Sequence, residues 1–116
     1  MASKWKVRLS EAAQLDFDEL YLWTLERFGA DQADSYRRLV LDALISLEGG
    51  PTTVDVKSHA EIPRHLKTFD VARKGKKGRH VIVFDASMSR RIQVLRILHD
   101  AMDLPRHLND DHEDDL

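Results

Sequence analysis

The chain has 116 residues, no cysteine and a formal net charge of −2, enough for one hydrophobic core but not two, with no thiol for a disulfide or a thiolate metal site. No apolar run approaches the roughly 20 residues that span a bilayer, and Met1 to Ser10 lacks the apolar block of a signal peptide, so a soluble, cytoplasmic domain is expected. The near-neutral total hides a segregation: Ser10 to Glu48 holds nine acidic residues against three basic, Lys57 to His80 eight basic against two acidic, and the last eight residues five acids with no Lys or Arg. The basic middle could meet phosphate or an acidic protein surface, or simply be a solvated hairpin tip.

In chain order, "WKVRL" (Trp5 to Leu9) alternates with period two and predicts a strand with Trp5, Val7 and Leu9 on one face. Ser10 follows as an N-cap, and Ala13, Phe17, Leu20, Thr24 and Phe28 recur at helical spacing. Gly29 closes that helix, and Asp31 starts a second with Ala33, Tyr36, Val40, Ala43, Leu44 and Leu47 on its inward face. So short a link makes an antiparallel helical hairpin. "GGP" (Gly49 to Pro51) opens a loop without periodicity to about Arg64.

Strands are predicted over Leu66 to Ala72, His80 to Ala86 and Arg90 to Leu98, with "RKGKKGR" (Arg73 to Arg79) as a turn. On the last strand Ile92, Val94, Arg96 and Leu98 are expected on one face, Leu95 and Ile97 on the other. The fold class is therefore α+β in the order β-α-α-β-β-β, a helical hairpin on a small, mainly antiparallel sheet of about four strands. Residues 1–108 make the domain, and the acidic 109–116 are expected to be a disordered tail.

The apolar run of the last strand stops at "HDAMDLPRHL". His99, Asp103 and His107 are four apart, which on a continuous helix would stack three metal ligands. Pro105 opposes that helix and instead fits the first turn of a short new one capped by Asp103. No metal site and no cofactor are expected, and His99 reads as hydrogen-bonded structure at a strand end. Arg96, on a largely apolar strand, needs a partner: either an acid such as Asp103, or a cleft onto which it opens.

Taken in order, "LSEAAQLDFDEL", "YLWTLERFGADQADSY", "GRHVIVF" and "VLRILHDAMDLPRHL" resemble the ParE branch of the RelE/ParE toxins of bacterial type II toxin-antitoxin modules, over Trp5 to Leu108. The turn "ARKGKKGRHV" is longer and more basic than in the family pattern, and Asp85 stands where a tyrosine or arginine is common. The resemblance implies a RelE/ParE-like fold, a cognate antitoxin as partner, and DNA gyrase as target of a toxin that performs no chemistry. On this reading the target is met by Arg73, Lys74, Lys76, Lys77, Arg79, Arg96, His99 and Arg106.

The alternative is RelE-like, ribosome-dependent mRNA cleavage, in which a 2′-hydroxyl attacks the adjacent phosphate. That reaction needs acid, base, cations and an aromatic to stack a base. Lys67, Arg73, Arg79, His80, Arg96 and His99 could supply the first three, but no Phe, Tyr or Trp follows Phe84, which favours the gyrase reading. For the antitoxin, a second apolar set, Leu15, Leu22, Trp23 and Leu25 on helix one with Leu39 and Ile45 on helix two, is left for a partner helix to cover.

Overall fold

The computed structural model describes residues 4–52, 56–59, 62–63, 65–71 and 80–99. Five strands and two helices follow one another as β1 (Lys6–Leu9), α1 (Glu11–Phe28), α2 (Ala30–Ser46), β2 (Val56–Lys57), β3 (Leu66–Asp70), β4 (His80–Asp85) and β5 (Arg91–His99), with a 3-10 turn at Leu47–Gly49 after α2. The sheet order is β1-β5-β4-β3-β2. β1 lies parallel to β5, and the other three pairings are antiparallel.

The sheet gains a fifth strand because Val56 and Lys57 pair with Phe69 and Thr68, inside the segment expected to be loop. Two residues are too few to announce themselves by alternation. The turn Arg73 to Arg79, the capped turn at Asp103 and Pro105, and the tail 109–116 lie outside the described residues.

The helical hairpin turns on a single residue. Gly29 takes φ of +90°, a conformation that side-chain-bearing residues seldom adopt. Its N–H donates to the Leu25 carbonyl and its carbonyl accepts from Ala33, so one residue both ends α1 and begins α2.

Ser10 joins helix to sheet. Its Oγ accepts the Ala13 N–H (3.0 Å), capping α1, and donates to the Leu95 carbonyl (2.9 Å), while its own N–H donates to the Val94 carbonyl (2.9 Å). Where β1 ends, the start of α1 thus continues the hydrogen bonding of the β5 edge. Ser10→Ala removes both side-chain bonds and is expected to cost about 2 kcal/mol, read from the denaturant midpoint at unchanged slope. A loss below about 0.5 kcal/mol would show that water replaces them.

The main core lies between hairpin and sheet, around Ala13, Leu20, Val40, Ala43, Leu44, Leu47, Phe69, Ile82, Phe84, Ile92, Val94 and Ile97. A smaller cluster on the other face gathers Ile62, Leu66, Val83 and Leu98, with Leu95 against it. This corrects the facing expected for β5. Val83 pairs with Arg96 and Phe84 with Val94, so Leu95 has no partner opposite and the strand bulges. A bulge resets the alternation: Ile97 joins Ile92 and Val94 under the helices, and Leu98 joins Leu95 on the far face.

Phe28, expected on the inward face of α1, is 62% exposed, because the last turn of the helix extends past the sheet's cover. Leu39, expected to face a partner, is half-buried against the core, and Leu25 is half-buried too. Between the helices, the Tyr21 hydroxyl donates to Asp34 Oδ1 at 3.0 Å. That bond, and then the negative charge of Asp34, hold the phenol above its ordinary pKa of 10.0. Any stability this pair adds is present below the ordinary phenol range and lost as pH rises through the raised folded value. Asp34→Asn is expected to bring the Tyr21 titration down, which tyrosinate absorbance would follow; an unmoved titration would refute the assignment.

Candidate functional site

The inward stripe of α1 carries one acid. Asp16 lies three residues after Ala13 and four before Leu20, both buried, so its carboxylate points at the sheet rather than at water. There it accepts three hydrogen bonds: from Arg96 Nε (2.8 Å), from Arg96 Nη2 (3.0 Å) and from the Ile97 backbone N–H (2.9 Å). The pair is largely buried, with side chains 20% and 13% exposed for Arg96 and Asp16. Arg96 therefore has both of its expected environments: it pairs with Asp16 of α1, and the pair also lines a cleft; Asp103, the acid expected from the sequence, lies outside the described residues.

That cleft, of about 740 Å3, lies between α1, the start of α2 and the ends of β4 and β5. Leu20, Trp23, Phe28 and Ile97 form its apolar wall. Trp23 meets Phe28 edge to face at 5.9 Å, and Arg27 stacks over the Trp23 ring at 4.8 Å, contacts that hold two exposed aromatics in place. Glu19 and Gln32 line it as well.

At one end of the cleft stand two histidines. His80 and His99 are register partners on β4 and β5, and their rings meet at 5.4 Å, nearly perpendicular. From α2, Tyr36 Oη shares a 2.7 Å hydrogen bond with His80 Nδ1, its direction set by the histidine's tautomer. The result is a row Tyr36, His80, His99 running from helix to strand end.

Of the six residues considered for nuclease chemistry, the fold brings together His80, Arg96 and His99. Lys67 is elsewhere: it pairs in register with Phe84, about 13 Å along β4 from His80 at strand rise, and donates to Ser58 Oγ. Arg73 and Arg79 lie outside the described residues, as do the target candidates Lys74, Lys76, Lys77 and Arg106. Among the described residues, Arg96 is the sole Arg or Lys lining the cleft, and its guanidinium is neutralised by Asp16.

Sequence reasoning missed two residues of this site. Asp16 was detectable as an acid on an otherwise apolar helical stripe, which needs a cation. Tyr36 read as core, and nothing in its spacing marks it as a neighbour of His80, 44 residues away. The aromatics missing from the sequence after Phe84 are thus supplied by the helices. Among the six residues expected to meet an antitoxin, Leu15, Leu22, Trp23 and Ile45 are at least half exposed. Among the described residues no group of three His, Asp or Glu converges in metal-binding geometry, and no helix is long and apolar enough to cross a membrane.

Comparison with known proteins agrees with this architecture. Residues 7–104 match the family described as ParE toxin of type II toxin-antitoxin system, parDE. Toxin ParE1 of Mycobacterium tuberculosis is 31% identical over 104 residues, spanning 86% of this chain and 94% of the relative. Toxin ParE1 of Caulobacter vibrioides is 26% identical over 102 residues, with 87% and 95% covered. A chain of the solved structure described as the chromosomal ParDE TA system from P. aeruginosa superposes with a TM-score of 0.66 at 18% identity, covering 84% of this chain and 98% of that one.

Proposed function

The chain belongs to the ParE toxin family of type II toxin-antitoxin systems, and on that premise we propose that it inhibits DNA gyrase by binding rather than by chemistry, held in check by a cognate antitoxin laid over the helical hairpin. The observation that carries the first part is the Asp16 to Arg96 ion pair. Cleavage of RNA by 2′-hydroxyl attack requires a cation to meet the charge that builds on phosphorus. Among the described residues the one guanidinium lining the cleft, that of Arg96, already faces a carboxylate, and approach of a phosphate to that largely buried pair would set two anions against each other.

One observation favours the RelE-like alternative. The row Tyr36, His80, His99 offers a phenol and two imidazoles at one cleft end, groups able to move protons and stack on a base. The lack of an aromatic after Phe84 therefore no longer weighs against a nuclease, and the reading rests on the occupied cation.

The test expresses the toxin without antitoxin and follows two outputs together, DNA double-strand breaks with loss of supercoiling, and cleavage of translated mRNA. Breaks and lost supercoiling are expected, little changed by His99→Gln. Codon-positioned mRNA cleavage abolished by His99→Gln, with supercoiling intact, would reverse the assignment. His99 serves better here than Arg96, whose loss would leave Asp16 without the guanidinium it faces and so lower the stability of the domain.

A further inference from the structure

The helix-free face of the sheet has two unlike halves. Over β3, β4 and the end of β5 it is apolar and covered, with Ile62 packed on Leu66, Val83 and Leu98 and His59 bonded to the buried Thr68. Over β1 and the start of β5 it is cationic. Val7, Leu9, Ile92 and Val94 pack into the main core, so by strand alternation Lys6, Arg8 and Arg91 project from the opposite side, and all three are exposed.

Lys6 and Arg91 are register partners, a directly opposed like-charge pair that sheets ordinarily avoid. Arg8 follows about 6.6 Å further along β1. The three line a recess of about 240 Å3 with Asp85, Met88, Ile92 and Gln93. Among the described residues Asp85 is the only acid in that lining, and its carboxylate also accepts the Ser87 N–H.

We propose that this strip binds the phosphate backbone of duplex DNA, a contact separate from the histidine cleft and from the hairpin. Charge complementarity argues for an anion, and three exposed cations at strand spacing suit a run of phosphates. A protein partner would need an apolar, aromatic-rich centre, and the exposed large apolar side chains lie on the hairpin instead, apart from Met88 at the strip's edge. Among the described residues no aromatic lines the recess, so these offer no platform on which single-stranded bases would stack. Rigid strands with cations at regular intervals suit a regular duplex, whose phosphates recur about every 3.4 Å of axis on each strand.

The test is fluorescence anisotropy of a labelled generic duplex DNA against the purified full chain over a salt series, with single-stranded RNA as competitor. Replacing Lys6, Arg8 and Arg91 together by Ser is expected to leave the thermal midpoint unchanged, weaken binding roughly tenfold or more at low salt, and make the slope of log K against log salt shallower by about 2.7, three phosphate contacts at 0.9 each. Arg91→Ser alone should account for about a third of that slope. An unchanged slope in the triple variant would overturn the proposal, as would RNA displacing the duplex at lower concentration, or binding only to an acidic peptide. None of these readouts contains gyrase, so the outcome is independent of the gyrase reading.

Discussion

Replacing Asp16 by Ala is expected to lower the stability of the domain by about 3 kcal/mol, a fall of roughly 10–15 °C in melting temperature for a chain of this length. The carboxylate accepts three hydrogen bonds, two from the Arg96 guanidinium and one from the Ile97 N–H. Its loss takes this counter-charge from a largely buried guanidinium and its acceptor from a backbone donor, each of which costs more than the interaction had contributed. Asp16→Asn should recover part of the loss, because an amide oxygen still accepts a hydrogen bond but carries no charge.

The informative variant is the double replacement Asp16→Leu with Arg96→Met. Removing both charges removes both desolvation penalties, and well-packed apolar side chains commonly match or exceed a buried ion pair. The double variant should therefore be much more stable than Asp16→Ala alone, with a coupling of at least about 1 kcal/mol in the cycle. A single-site effect below about 1 kcal/mol, or strict additivity, would mean that solvent reaches the pair more freely than its geometry implies.

The same ion pair shows where sequence reading succeeds and where it stops. Both helices, the hairpin at Gly29, and the strands β1, β3, β4 and β5 were legible to within a residue or two at their ends, because each carries a periodicity and a stop signal of its own. The order and the resemblance led to the RelE/ParE-like class. The facing of Ile97 and Leu98 was not legible, since a bulge at Leu95 depends on what lies opposite it on β4. Arg96 was recognisable as a residue in need of an acid, yet Asp16, the acid it meets among the described residues, is 80 residues away on α1, where proximity along the chain could not point. Tyr36 and His80 likewise meet only because α2 crosses the end of β4. Local pattern fixes elements, whereas a site built from four elements is a property of their packing.

The antitoxin proposed above should depend most on the exposed stripe of α1. Replacing Leu22 by Asp and Trp23 by Ala together is expected to weaken the complex by about 30- to 1,000-fold, the 2–4 kcal/mol typical of a buried aromatic anchor and its neighbour. Leu22 is 54% and Trp23 50% exposed in the isolated chain, so neither replacement opens a cavity and the melting temperature of the free toxin should move little. Leu25 is a poorer choice for such a test, because it is half-buried and an Asp there would disturb the last turns of α1. Trp23 also forms one wall of the histidine cleft, and a partner helix lying on Leu15, Leu22 and Trp23 would lie at its edge. Such a helix would cover the edge of the cleft at the moment it buries the leucines, making neutralisation a matter of occlusion rather than of deformation. Titration calorimetry of the wild-type and double-variant toxins gives the affinity ratio, and hydrogen exchange locates the footprint. Protection confined to the basic segment Arg73 to Arg79, with the α1 amides unchanged on binding, would place the antitoxin elsewhere and refute this surface.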